Sequence, residues 1–372
     1  MAGLKINLEE LESDDDGTAR IAHDELHLGE LTVSSEGLTT SMGYKYGLSP
    51  EDLVVSATGF LGQGSSGSVR RATHLKTGKT IALKEIKITG QVHLQEIRRE
   101  LETLHRDCST SPYLVEFYGA FCHEGSVFIA MECMDGSLDN VINPVPLEVL
   151  VSITRSILHG LCYLHKKRHL IHRDLKPSNL LYSYDGRIKI SDFGVSSSLE
   201  CTRGNAHSFV GTLVYMSPER LKGEAYSLSV DIWSLGLVIA ELALGRSPFK
   251  DSLARNNSST EACFWILLQH LSSDDPVITI PPTMDALLAD LISRCIQKDK
   301  EKRATCEELL QHPFITQQDE KDDRRLIQEW LSTMKTKKES TSPTNGSSKP
   351  TMSTSISEAP LNLDDELHKL IQ

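Results

Sequence analysis

Residues 169–181 read HLIHRDLKPSNLL, and this stretch decides what the rest of the chain must be. Asp174 can accept a proton from an attacking hydroxyl group. Lys176 can neutralise negative charge on a group in transfer, and Asn179 can offer its amide oxygen to a metal ion. The pattern His172-Arg173-Asp174, with Asn179 five residues beyond Asp174, is long enough to exclude coincidence. His165, His169 and His172 lack the cysteines or acids that would complete a metal cluster, so they read as packed or surface side chains.

Moving outward, KISDFGVS at 189–196 supplies Asp192, a carboxylate for the magnesium ion that bridges the β- and γ-phosphates of a nucleotide. Phe193 is apolar enough to dock this segment, and Gly194 lets it pivot. Upstream, GQGSSGSV at 62–69 has the spacing G-x-G-x-x-G-x-V. Its glycines Gly62, Gly64 and Gly67 lie between two β-rich runs, and Val69 continues a strand. That context favours a hairpin whose amides approach phosphates over a dinucleotide-binding turn. The next strand carries IALK, ending in Lys84, which can hold phosphates if an acid fixes it. Glu100 in RRELETLH is the expected partner, with Glu96 one turn earlier as the alternative. Taken singly, each is a glycine hairpin or a solvated charge. Four in order imply an ATP-dependent phosphotransferase.

The chain has 372 residues, of which 39% are hydrophobic and 24% charged, with a net charge of −12. That balance fits a globular protein and argues against nucleic acid as a partner, because phosphate backbones demand basic patches. No secretory pattern opens the chain, and no apolar run approaches the roughly 20 residues of a membrane span. Eight cysteines without C-x-x-C spacing point to a reducing compartment, and hence to a cytoplasmic protein.

Residues 1–53 form an acidic, polar extension without a sustained period, expected to be largely mobile and a candidate regulatory segment. Short β-rich runs follow from Phe60, with a helical pattern at 91–105. Beyond residue 145 the period is helical: Leu147, Leu150, Ile153, Ile157, Leu161 and Leu164 make one buried stripe. Further helices are expected near 228–245, 261–271, 285–297 and 304–311. The fold class is therefore α+β, a small β-rich lobe followed by a larger helical one, with a cleft expected between them. Residues 336–372 are a Ser/Thr-rich flexible tail with a short terminal amphipathic segment.

These motifs resemble the protein kinase family over residues 54–316. The resemblance implies the two-lobed kinase fold, ATP and magnesium as cofactors, and adenine held by the backbone of Glu132-Cys133-Met134. Leu61, Val69 and Ala82 would line that pocket, with Met131 guarding its back. Glu219 in MSPE would pair with Arg303, and Asp231 in DIWSLG would brace the catalytic loop. A narrower resemblance, carried by SPYLVEFYGAF, MDGSLD, KISDFGVSSSLE and SFVGTLVYMSPERL, is to the mitogen-activated protein kinase kinases. It implies dual specificity: phosphorylation of Thr and Tyr in the activation loop of a downstream mitogen-activated protein kinase. Activation would follow phosphorylation of Thr202 and Ser208 by an upstream mitogen-activated protein kinase kinase kinase. Five residues separate those two hydroxyls, the plant- and protist-type spacing. Arg173 is a natural partner for the added phosphate, and Thr212 would position the catalytic loop.

Two other readings compete. A sterile-20-like kinase acting further upstream would lack the SFVGT–MSPERL stretch. A catalytically dead scaffold would have lost Lys84, Asp174, Asn179 or Asp192, all of which are present. The chain also departs from the narrower family: only Lys5 precedes the Ile6-x-Leu8 pair where a basic docking cluster is usual, MDGSLD is one Gly short of the usual form, and the segment after Ser247-Pro248-Phe249 lacks the Pro-rich insert of some members. Residues 317–335 form a C-terminal helix whose face of Leu326, Ile327, Trp330 and Leu331 either docks the upstream kinase or packs on the larger lobe.

Overall fold

The computed structural model describes residues 19–22, 25–64, 67–88, 91–105, 111–141, 144–192, 213–249, 260–273 and 275–340. The chain divides into two units, the first comprising Met1–Cys108 and Glu116–Cys133, the second Ser109–Val115 and Met134–Thr344.

The first unit begins with structure where the sequence suggested none. Strands β1 (Ala19–Ala22), β2 (Glu25–Leu28), β3 (Leu31–Ser34), β4 (Gly37–Thr40) and β5 (Lys45–Gly47) form an antiparallel meander in chain order. Period-two alternation drives it: Leu26, Leu28, Leu31, Val33 and Leu38 all point to one buried face. Gly29 turns β2 into β3 at φ +62° and lies against the guanidinium of Arg98. The extension is thus a packed sheet over these residues, and the expectation of mobility fails there. Lys5, Ile6 and Leu8 lie outside the described residues.

A second sheet runs in the order β6-β7-β8-β10-β9, built from β6 (Leu53–Gly64), β7 (Gly67–His74), β8 (Lys79–Lys87), β9 (Phe117–His123) and β10 (Ser126–Glu132). Helix α1 (Gln91–His105) lies where its period placed it. Its apolar face of Leu94, Ile97 and Leu101 joins one core with Ile86, Val127 and Ile129 from the sheet and the five apolar residues of the meander. Each such side chain stabilises the unit by about 1.5–3 kcal/mol on burial.

The second unit is mostly helical. Helix α2 (Leu147–Cys162) continues into a π-helical segment, Tyr163–Lys167. A small sheet follows, β11 (Gly136–Ser137) pairing with β12 (Leu180–Tyr182), and β12 with β13 (Ile188–Ile190). The remaining helices are α3 (Pro218–Leu221), α4 (Ser229–Leu244), α5 (Thr260–Ser272), α6 (Ala286–Cys295), α7 (Cys306–Leu310), α8 (Pro313–Thr316) and α9 (Asp323–Ser340). The stretch Leu147–Lys167 has the length and apolar composition of a membrane-crossing helix, contrary to the expectation that no such run exists. Yet 67% of that window is buried inside the protein, which makes it a core helix. Ile327, Trp330 and Leu331 of α9 are buried, and Asp323 at its start accepts a 2.7 Å bond from Arg155 of α2. Of the two roles open to this helix, its apolar face therefore takes the packed one.

Candidate active site

In the first unit the residues expected to handle a nucleotide sit on β6, β7, β8, β10 and α1. Gly62 pairs with Val69 and Gly64 with Gly67, so the glycine-rich segment is an antiparallel hairpin. Gly67 is obligatory: its φ is +150°, and a Cβ there would lie 1.8 Å from the carbonyl oxygen of Glu85. Across the sheet, Val69 faces Lys84 and Ala82 faces Met131. Leu61 is 40% exposed, whereas Ala82 is buried and Met131 half-buried. Glu132, ending β10, is tied to the segment just before β9 by its N–H, which donates to Glu116 O at 2.8 Å.

Lys84 and Glu100 meet at 2.7 Å between Nζ and Oε1, with side chains only 4% and 3% exposed. Of the two acids open to Lys84, the helix thus presents Glu100. Burial of the adjoining stripe of α1, Leu94, Ile97 and Leu101, sets the rotation that aims this carboxylate inward.

In the second unit, Asp174, Lys176 and Asn179 form one cluster. Lys176 Nζ is 2.8 Å from Asp174 Oδ2. The Asn179 amide donates to Asp174 Oδ2 at 3.0 Å and to its backbone oxygen at 2.8 Å. Because Nδ2 is used this way, the amide oxygen of Asn179 is oriented elsewhere and remains available as a hard donor. Leu180 pairs with Ile190, so the hairpin β12–β13 sets Asn179 beside Ser191, whose N–H donates to Asn179 O at 2.9 Å. Asp192 comes next, at φ +52°. Arg173, at φ +69°, is likewise a non-glycine residue in the left-handed region. Such strain persists only where surrounding contacts over-determine it.

Those contacts converge on Asp231, in the first turn of α4 and wholly buried. Its carboxylate accepts the N–H groups of His172 and Arg173 and the Nε2–H of His165, each at 2.8 Å. Burial alone would push this carboxyl up. The bond from His165, the nearby His172 and the Arg173 N–H together hold it below the usual carboxylate range. His172 is itself fixed, with Nε2 donating to Ser191 O at 2.9 Å and Nδ1 accepting the Asp174 N–H at 3.2 Å. The two buried histidines are structural. Among the described residues no group of three or more His, Cys, Asp and Glu could hold a metal ion.

Glu219, in α3, binds Arg303 through two parallel bonds of 2.5 and 2.7 Å. One residue, Arg220, escaped sequence reading. Arg220 donates to Arg173 O, and both guanidiniums lie near the ring of Tyr226, at 5.8 and 5.7 Å. His165, read from sequence as a packed or surface side chain, is packed, and its bond to Asp231 gives it a bracing part that the sequence did not show. Phe193, Gly194, Thr202, Ser208 and Thr212 lie outside the described residues.

A glycine hairpin ahead of a buried Lys–Glu pair, in one chain with a braced HRD loop, defines a protein kinase. The family described as "Protein kinase domain" matches residues 55–315. Among curated proteins, mitogen-activated protein kinase kinase 5 of Leishmania mexicana is 60% identical over 320 residues, covering 85% of this chain and 60% of that protein. Mitogen-activated protein kinase kinase 1 of Arabidopsis thaliana is 38% identical over 309 residues, 79% of this chain and 86% of that protein. The tobacco (Nicotiana tabacum) mitogen-activated protein kinase kinase SIPKK is 41% identical over 271 residues, 70% and 73% of the two chains. The chain belongs to the mitogen-activated protein kinase kinases.

Proposed function

We propose that this chain transfers the γ-phosphoryl group of ATP to Thr and Tyr in the activation loop of a mitogen-activated protein kinase, and that phosphorylation of Thr202 and Ser208 by an upstream kinase switches it on. The observation that carries this reading is the state of Asp174, held by Asn179 and Lys176 on a loop that Asp231 braces.

Asp174 accepts the proton of the substrate hydroxyl as the nucleophile forms. Lys176 balances charge on the phosphoryl group in transfer, and Lys84, fixed by Glu100, holds the phosphates that stay behind. Gly62, Gly64 and Gly67 let backbone N–H groups come close to those phosphates. Leu61, Val69, Ala82, Met131 and Met134 give adenine an apolar surface, and the backbone near Glu132 reads its edge. Protein kinases use a divalent metal with ATP, and here the oxygen donors of Asn179 and Asp192 suit magnesium, a hard ion. When bound, that ion neutralises charge on the phosphate oxygens. Phe193 and Gly194 set the position of Asp192. Arg173 pairs with the phosphate added to the loop, Thr212 steadies the catalytic loop, and the Glu219–Arg303 pair anchors the segment that follows. Cytoplasmic residence accords with substrates of this kind.

The test compares wild type treated with an activating upstream kinase, Thr202→Asp/Ser208→Asp, and Lys84→Met, against a panel of inactive mitogen-activated protein kinases, with phosphosites mapped by mass spectrometry. Thr and Tyr modification of one panel member by the first two proteins and not by Lys84→Met supports the proposal. Modification of Ser/Thr in a generic basic protein alone would overturn it.

A further inference from the structure

Arg173 stands in the left-handed region directly before Asp174, so the two peptide groups that flank it need partners to stay in place. The group ahead of it is held by Asp231, which accepts the Arg173 N–H at 2.8 Å. The group behind it joins the Arg173 carbonyl to the Asp174 N–H, and across a trans peptide these point in opposite directions. On one edge the Asp174 N–H donates to His172 Nδ1 at 3.2 Å, the long end for such a bond. On the other edge Nη1 of Arg220 donates to the Arg173 oxygen. A guanidinium makes that bond charge-assisted, so Arg220 is the stronger of the two holds.

Arg220 is itself held. It lies in α3, one residue after Glu219, whose grip on Arg303 anchors the turn. The chain then folds back: the Gly223 N–H donates to Arg220 O at 3.1 Å and the Glu224 N–H to Glu219 O at 2.8 Å. Lys300 Nζ donates to Ala225 O at 2.7 Å. These bonds present the Tyr226 ring, whose centre is 5.8 Å from the Arg220 guanidinium carbon and 5.7 Å from that of Arg173. The ring attracts both cations and so steadies two like charges beside one another. All of these residues belong to the helical unit.

We infer that Arg220 is a positioning residue for phosphotransfer: it fixes the peptide plane between Arg173 and Asp174, and with it the place from which Asp174 takes the hydroxyl proton. Turning that plane changes ψ of Arg173 and φ of Asp174 together, which swings the Asp174 side chain. A general base must stand within about 2.6–3.2 Å of its proton's oxygen, so a small swing slows transfer. The residues that line the adenine surface sit mainly on β6, β8 and β10, in the other unit. The loss therefore falls on kcat and spares KM for ATP. The role in turnover rests on the proposed function; the clamp on the peptide does not.

The test uses full-length wild type, Arg220→Ala, Arg220→Lys and Tyr226→Ala, each activated by the upstream kinase. Amide exchange at Asp174 reads the clamp without any activity assay, and exchange along α4 serves as the reference for the fold. Steady-state kinetics on the inactive mitogen-activated protein kinase that wild type modifies read the reaction, with ATP titration giving the fraction of folded sites. In Arg220→Ala we expect exchange at Asp174 to quicken with α4 unchanged, and kcat per ATP site to fall about 10- to 100-fold, with KM for ATP within a few fold. Arg220→Lys, which keeps a charged donor, should recover part of kcat, and Tyr226→Ala should lower it by less than Arg220→Ala. Unchanged exchange at Asp174 overturns the clamp. Faster exchange with kcat unaltered overturns the positioning role, as does a loss of activity matched by a loss of ATP sites. If wild type modifies no such kinase, the proposed function falls, and exchange alone still decides the clamp.

Discussion

Arg303 grips Glu219 with both ends of its guanidinium, at 2.5 and 2.7 Å, while its flat face lies 4.9 Å from the ring centre of Trp233. Neither charge reaches solvent: the side chains are 0% and 4% exposed. Removing one partner leaves the other charged and buried. Arg303→Ala should therefore cost about 3–5 kcal/mol. Arg303→Lys, which keeps the charge and loses the fork, should fall between. All three tryptophans, Trp233, Trp265 and Trp330, lie in the helical unit, so denaturant unfolding followed by their fluorescence reads this cost directly.

The same pair sets an acid limit. Burial raises the Glu219 carboxyl, but the hydrogen bonds and charge of Arg303 outweigh it and leave it below the ordinary range. Asp231 is lowered as well. A carboxyl lowered on folding adds stability that is complete above its unfolded value, about 4, and is lost as pH falls through the folded one. The unfolding midpoint should thus hold between about pH 5 and 7 and drop below about pH 4. In Arg303→Met the buried Glu219 gains from protonation, so its deficit against wild type should shrink on acidification. A constant deficit would count against the assignment.

Asp231 acts on the reaction only through the backbone it holds. Asp231→Asn offers one acceptor oxygen where three donors converge. Loosening the turn that carries Asp174 should lower kcat by about 100-fold, with KM for ATP changed by no more than a few fold. Steady-state kinetics separate these two effects. A rise in KM alone would place Asp231 outside the positioning of the catalytic loop.

Leu28, on β2, is 0% exposed in the core it shares with Leu94, Ile97 and Leu101 of α1. Leu28→Ala should destabilise the first unit by about 2–5 kcal/mol. Because that core also fixes the rotation of α1, amide exchange along Gln91–His105 should quicken, and activity should fall with it. Exchange unchanged in α1 would show the meander to be merely attached.

Much of this was legible in sequence, for a definite reason. The catalytic loop, Asp192, Lys84 and Glu100 are carried by spaced chemical groups, and spacing survives without a structure; Asp231 and the Glu219–Arg303 pair came only through the resemblance those motifs carry. Helix α1 was found over its full span because fifteen residues give its period room to show. Strands β1–β5 are only three or four residues each, too short for alternation to separate from chance. Gly29 and Gly37, between the pairs Leu26/Leu28, Leu31/Val33 and Leu38/Thr40, were the signal that could have revealed them. Arg220 left no trace because its partner is a backbone oxygen, which every residue has. The face of α9 was ambiguous since an apolar stripe looks the same whether a neighbour or a visitor covers it.

The meander also changes where this enzyme may be cut. The match to the kinase domain family starts at residue 55, an inviting edge for an excised catalytic fragment or a chimaera with a relative. Such a fragment would lose the meander's side of the core that holds Leu94, Ile97 and Leu101, the apolar stripe on the helix that aims Glu100 at Lys84. The smallest portable version of this kinase begins before Ala19. Swapping its front end between relatives would transplant part of the core, not a leash.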